Sequence, residues 1–115
     1  MSTVIVFGAS GLLGASLVPA LNALGHSVLT QGRGEGVDLR IDPSDRAAVA
    51  ATLAEHRPDA VINLVSATDV DHCESHSALA WQANAGVVAA IAHGIVALRL
   101  ECLTRTHLVQ VSTDQ

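Results

Sequence analysis

The sequence predicts an α/β domain, a doubly wound parallel sheet with helices on both faces and strand order 3-2-1-4-5. Three observations predict it. Short apolar, β-branched runs alternate with stretches of helical periodicity along the chain. The connections between successive runs are long enough for crossovers, which imply parallel pairing and right-handed units. Half of the 115 residues are apolar yet only 2% are aromatic, so the core is built from Ala, Val, Leu and Ile, which suits thin helices laid on a sheet buried on both faces. The length bounds the chain to one domain, residues 1–115.

The elements follow in order. Thr3 to Phe7 (TVIVF) reads as a short buried strand ended by glycine. LLGASLVPALNALG reads as a helix, with Leu13, Leu17, Leu21 and Leu24 at helical spacing and Gly25 as its C-terminal cap. Pro19 lies inside it, where a bend and a solvent-facing ring are expected. His26 to Gln31 is a second strand, QGRGEG a turn-rich loop, and VDLRI a short third strand. DPSDRAAVAATLAEHRP is a helix with Asp42 as N-cap, Pro43 at the first helical position, Asp45 at N3, and Arg57-Pro58 as its stop. Asp59 to Ala67 is a fourth strand. The stretch from Glu74 to Leu103 is helical, in two pieces meeting near Asn84, and His107 to Thr113 is a fifth strand.

Composition excludes several classes. There are 11 acids against 6 bases and a formal net charge of −5, with no lysine at all. Nucleic-acid binding needs clustered positive charge, and so does a basic membrane-surface helix; neither is expected. Cys73 and Cys102 have no close spacing and form neither a disulfide framework nor a zinc ribbon. The N-terminus lacks a basic leader region, and no apolar stretch reaches the ~20 residues of a membrane span. A soluble, cytoplasmic protein is expected.

The chemistry concentrates at FGASGLLG. Gly8, Gly11 and Gly14 follow the first strand and open the first helix. Gly8 lets the chain turn off the strand, Gly11 lets the main chain approach a diphosphate, and Gly14 lets the helix lie close. The helix N-terminus then offers free N–H groups and partial positive charge to phosphates. A dinucleotide-binding, Rossmann-like domain is the favoured reading; a merely tight strand–helix turn is the alternative. At the end of the second strand no acid stands ready for a ribose 2′-hydroxyl and Arg33 is near, which favours NADP(H) over NAD(H). Glu35 keeps NAD(H) open, and a solvated loop charge is the plain alternative for Arg33.

Taken together, GASGLLG, DPSDRAAVAATLAEHRPDAVIN, TDVDHCES, QANAG and VSTDQ resemble the N-terminal part of the extended short-chain dehydrogenases/reductases, in particular the dTDP-4-dehydrorhamnose reductase branch of sugar-nucleotide reductases. The resemblance runs over nearly the whole chain. It implies that Gly8, Ser10, Gly11, Leu12, Leu13 and Gly14 form the phosphate loop, and that Asp38 and Leu39 sit at the adenine edge. It also implies that Leu64, Val65 and Ser66 line the cofactor cleft, that Asn84 is a structural helix asparagine, and that Thr113 is the hydroxyl of a Ser/Thr-Tyr-Lys catalytic set. The implied reaction is hydride transfer from NADPH to the 4-keto group of a nucleotide-linked deoxysugar, the substrate partner of the full-length protein.

The sequence departs from that pattern. It contains neither tyrosine nor lysine, and Ala67 stands where the family usually has an aromatic. Thr113 can hydrogen-bond a ketone but is too weak an acid to protonate an alkoxide alone. The chain therefore reads as the cofactor-binding part of a longer reductase. A non-catalytic dinucleotide-binding or regulatory module of the same fold, and a sugar-nucleotide epimerase or dehydratase, are the alternatives. An uncovered fifth strand would expose a sheet edge for a second copy or a partner.

Other candidates are weaker. Asp71, His72, Cys73, Glu74 and His76 are metal-ligating types in one cluster, but a polar loop leading into a helix is the simpler reading and no metal is expected. Cys73 has no nameable partner as a nucleophile. Cys102 reads as a core thiol and Trp81 as packing.

Overall fold

The computed structural model describes residues 2–9, 12–32, 35–65, 77–102 and 106–110. Four strands, β1 (Thr3–Phe7), β2 (Ser27–Gln31), β3 (Ala60–Asn63) and β4 (His107–Gln110), alternate with three helices, α1 (Leu12–Ala23), α2 (Arg46–His56) and α3 (Ser77–Cys102). All pairings are parallel and the spatial order is β2-β1-β3-β4. Strand alternation divides the core in two. Ile5, Phe7 and Val61 pack with Val49 and Leu53 of α2 and with Val87, Ile91, Ile95 and Leu98 of α3. Val4, Val6 and Ile62 face the other way, with Leu17, Val18 and Leu21 of α1 packed against them. Both faces of the sheet are thus apolar, as a helix-covered parallel sheet requires.

The expected five-strand order is corrected to four. The stretch expected as the third strand makes a single bridge, Gln31 to Leu39. The cause is a side chain competing with the ladder. The Asp38 carboxylate accepts the Thr30 backbone N–H at 2.9 Å and the Thr30 hydroxyl at 3.1 Å, and the Asp38 N–H donates back to Thr30 Oγ1 at 3.1 Å. Among the described residues, Leu39 N–H to Thr30 O (2.8 Å) and Gly32 N–H to Leu39 O (3.2 Å) remain as strand-like bonds. Removing that third position from the expected order leaves the observed sequence of neighbours.

α1 ends as expected at Gly25. Its φ is +89°; its N–H donates to Asn22 O and the His26 N–H to Leu21 O, the paired bonds that satisfy a helix's last carbonyls. Pro19 lies within the helix with its ring exposed. Leu17 and Leu21 reach the core, whereas Leu13 and Leu24 remain exposed.

The start of α2 is also corrected. Its N-cap is Asp45, whose Oδ1 accepts from the N–H groups of Ala47 and Ala48. Asp42 instead folds the preceding turn: its Oδ1 accepts Ser44 N–H and Oγ, and its carbonyl accepts Asp45 N–H. Pro43 therefore occupies a turn, which its fixed φ suits equally well. Arg57 closes the helix in the left-handed region (φ 46°), its N–H bonded to Leu53 O.

β3 stops at Asn63 rather than running to Ala67, because the Asn63 side chain accepts Val65 N–H at 3.0 Å and turns the chain. α3 is one unbroken 26-residue helix rather than two pieces. It crosses α2 at Gly94, where a Cβ would stand 2.7 Å from Leu53 Cδ1 and 3.5 Å from the Ala50 Cα. The connection into β4 is held by fully buried Thr106, whose carbonyl accepts from Arg99 Nη2 at 2.6 Å. Residues 111–113, expected to continue that last strand, lie outside the described residues.

Candidate functional site

β1 and β3 are neighbours, yet they lead to helices on opposite faces: β1 into α1 on one side, β3 towards α3 on the other. The carboxyl ends of such strands open a crevice where ligands of α/β sheets bind. Gln31, Phe7, Asn63 and Gln110 stand in register across that edge.

Gly8 is the first residue past the edge. Its φ is +76°, and a Cβ there would lie 2.9 Å from the Val65 N and 3.0 Å from its Cα. The two loops of the crevice therefore touch main chain to main chain, which only glycine permits. A Cβ on Gly14 would overlap the Ala9 carbonyl, so the first turn of α1 lies directly on the loop that leaves β1. Leu12 and Leu13 open α1, and no acidic residue occupies its first turn. First-turn N–H groups have no acceptor within their helix, so the positive end of α1 stands at this edge with no acidic residue in its own first turn.

One residue beneath the loop was not anticipated from sequence. Gln31 is 2% exposed. Its Oε1 accepts Gly8 N–H at 2.9 Å, its Nε2 donates to Ile41 O at 2.7 Å, and its backbone carbonyl accepts Ala9 N–H at 3.0 Å. A single side chain thus ties the glycine loop to the segment that follows β2. The available signal was an amide at the last position of an apolar strand, where burial demands partners for both ends.

The remaining expected residues divide. Asp38 is exposed and engaged by Thr30, and Leu39 is half-buried in its bridge to Gln31; both flank the end of β2. The Leu64 side chain is fully buried among Val4, Val6 and Ile62, so its main chain is what faces the crevice. Val65 is half-buried and its N–H is held by Asn63. Ser10, Gly11, Arg33, Ser66 and Thr113 lie outside the described residues, as does the Asp71–His76 cluster; at Asn84 only the helical backbone is described. Beside Gly32 a depression is lined by Arg40, Ile41 and Asp42. A second, beside α1, is lined by Ala9, Gly14, Val18, Thr30 and Glu35 among others. Among the described residues no group of three or more His, Cys, Asp and Glu could hold a metal ion, and no helix is long and apolar enough to cross a membrane.

A parallel sheet with a glycine-only contact at its switch point defines a doubly wound α/β domain of the nucleotide-binding kind. The sequence model of the RmlD substrate binding domain family matches residues 1–115, and the chain belongs to that family. Over 80 residues the chain is 45% identical to a dTDP-4-dehydrorhamnose reductase of Streptomyces griseus, a match covering 70% of this chain and 25% of that protein. A solved dTDP-4-dehydrorhamnose reductase from Clostridium acetobutylicum superimposes with a TM-score of 0.76 at 27% identity, over 97% of this chain and 36% of its own. A hypothetical dTDP-4-dehydrorhamnose reductase from Sulfolobus tokodaii does so with a TM-score of 0.77 at 30% identity, over 99% and 40%. The chain thus spans a quarter of the Streptomyces protein and well under half of either solved one.

Proposed function

We propose that these residues form the NAD(P)H-binding part of a sugar-nucleotide reductase that reduces a 4-keto nucleotide-deoxysugar. The observation that carries the reading is the pair of positions a Cβ would fill: Gly8 against Val65 and Gly14 against Ala9. Together they bring bare main chain and the first turn of α1 to the carboxyl edge of the sheet, a cradle suited to a diphosphate that needs no basic side chain. The residues present fit such a group. The main chain from Gly8 to Gly14 would hold its diphosphate, and the main chain of Leu64 and Val65 would border it on the β3 side. When bound, the cofactor supplies the hydride.

NADPH is preferred over NADH in this reading. The residue after β2 is Gly32, which itself offers no carboxylate to a ribose 2′-hydroxyl, and Arg40 lines the depression beside it; Arg33 follows in sequence, while Glu35, in the depression shared with Ala9 and Gly14, keeps NADH the alternative. Thr113 would orient the substrate ketone. The tyrosine–lysine pair of the Ser/Thr-Tyr-Lys set would be supplied by the rest of the protein, since these 115 residues contain neither.

That same composition favours a second reading, a dinucleotide-binding module without catalysis. One experiment separates them: titrate the full-length protein with NADPH and NADH by fluorescence, then assay NADPH oxidation with dTDP-4-dehydrorhamnose. Binding with turnover supports the reductase, binding without turnover supports the module, and no binding overturns both.

A further inference from the structure

We infer that Gln31 is a positioning residue for the dinucleotide: it fixes the glycine loop in the form that receives the diphosphate. The inference rests on the cofactor reading above. The side chain is 2% exposed and lies in the last position of β2, in register with Phe7 of β1. It reaches across to take the Gly8 N–H (2.9 Å), while its own carbonyl takes the Ala9 N–H (3.0 Å). Two consecutive donors of the loop are thereby satisfied from the protein side. Among the described residues, the donors this leaves for a phosphate are the first-turn N–H groups of α1. The other end of the amide donates to Ile41 O at 2.7 Å, so the segment bordering Gly32 and Arg40 is held in the same bond chain as the loop. A carboxamide is the side chain that suits both contacts at once, accepting with its oxygen and donating with its nitrogen.

Gln31→Glu separates this role from mere packing. Protonated, the glutamic acid accepts from Gly8 and donates to Ile41, as glutamine does. Ionised, it faces the Ile41 carbonyl without a proton and adds negative charge beneath the diphosphate. Burial and that carbonyl both favour the protonated form, placing its titration above the ordinary glutamate range. Among the described residues, the charged groups close by are Arg40 and Asp42 beside Ile41, Asp38 on the outer side of Thr30, and Glu35 in the depression shared with Ala9 and Thr30. The register neighbours on β1 and β3, Phe7 and Asn63, carry none. Referring every affinity to the unaltered protein at the same pH removes their contribution, and that of the ligand's own phosphate.

The test measures NADP+ affinity by calorimetry from pH 5 to 8 for the full-length protein, Gln31→Glu and Gln31→Met, with thermal unfolding of each and amide exchange at Gly8. The expected result for Gln31→Glu is affinity close to the unaltered protein at pH 5 and about tenfold weaker at pH 8, the size of one lost hydrogen bond. Gln31→Met should be weaker by about that factor at every pH, with faster Gly8 exchange. Folded variants that bind NADP+ as the unaltered protein does overturn the inference and leave the cofactor reading standing. Should Gln31→Glu fail to fold, Gln31→Met with the Gly8 exchange decides alone. An unaltered protein that binds no NADP+ while its Gly8 amide is protected overturns the cofactor reading and this inference with it, leaving Gln31 a structural brace.

Discussion

The hydroxyl of Thr106 donates to the carbonyl of Pro58 at 2.7 Å, across 48 residues of chain and wholly out of solvent. It joins the entry of β4 to the entry of β3, and Asp59 continues the tie: its carbonyl accepts His107 N–H, and its carboxylate accepts Thr3 N–H at 2.8 Å. Three parallel strands are thus aligned at their amino ends by side chains as well as by the ladder.

Thr106→Val keeps the shape and strands the Pro58 carbonyl, so it should destabilise by about 1–3 kcal/mol. Thr106→Ser keeps the bond and loses one methyl, for about 1 kcal/mol. Denaturant unfolding of the two variants checks the order; a larger loss for Thr106→Ser than for Thr106→Val would show that the methyl, not the hydroxyl, matters.

Gly8→Ala is expected to fail twice over. A left-handed φ costs a non-glycine residue about 1–2 kcal/mol, and the new Cβ meets Val65 main chain at 2.9 Å. Gly14→Ala meets the main chain of Ala9 and has no rotamer to escape by. Both should lower the melting temperature and weaken NADPH binding, measured by calorimetry and fluorescence on the same samples.

At Gly94 two effects oppose. Alanine improves helix propensity by about 1 kcal/mol, but its methyl would lie 2.7 Å from the Cδ1 of fully buried Leu53, and overpacking costs about 1–3 kcal/mol. A net loss is expected. Because the obstacle is a side-chain tip, Gly94→Ala combined with Leu53→Val should be more stable than the sum of the two single changes, a coupling that a double-mutant cycle reads directly.

Asp45→Ala removes the cap of α2 and should cost about 1 kcal/mol, while Asp45→Asn should retain most of it. Chemical denaturation of both variants tests the cap position; an unchanged midpoint for Asp45→Ala would place the cap elsewhere.

Gly32→Asp puts a carboxylate where the end of β2 lacks one. In the proposed cofactor site it should shift the ratio of NADPH to NADH affinity towards NADH by about tenfold or more, through repulsion of the 2′-phosphate and a new partner for the 2′-hydroxyl. Parallel titrations with the two cofactors measure it.

What could be read in advance was local. β1, the turn off it at Gly8 and the Gly25 cap are each specified by a few adjacent residues, and the structure places them as the spacing predicts. Elsewhere two nearby residues competed for one role. DPSD contains two aspartates fit to cap a helix, and Pro43 suits a first helical position or a turn; the bonds of Asp42 to Ser44 decide for the turn. The missing strand turned on Asp38 reaching Thr30, a contact that alternation of apolar residues does not encode. Of the site, Gly8 and Gly14 were visible as glycines, but their partners were not. Gln31 was invisible because its partners lie 23 residues behind it and 10 ahead, and an amide closing a strand looks like ordinary surface polarity until the fold buries it.

The Asp38–Thr30 pairing also makes the sheet directional. A stray extended segment from another molecule that approaches the β2 flank meets an amide already claimed and a carboxylate in its path, so growth there is blocked by charge as well as by occupancy. On the β4 flank, where Val109 is exposed, no side chain among the described residues plays that part. Further strands, whether from this polypeptide or another, would be admitted from one side only.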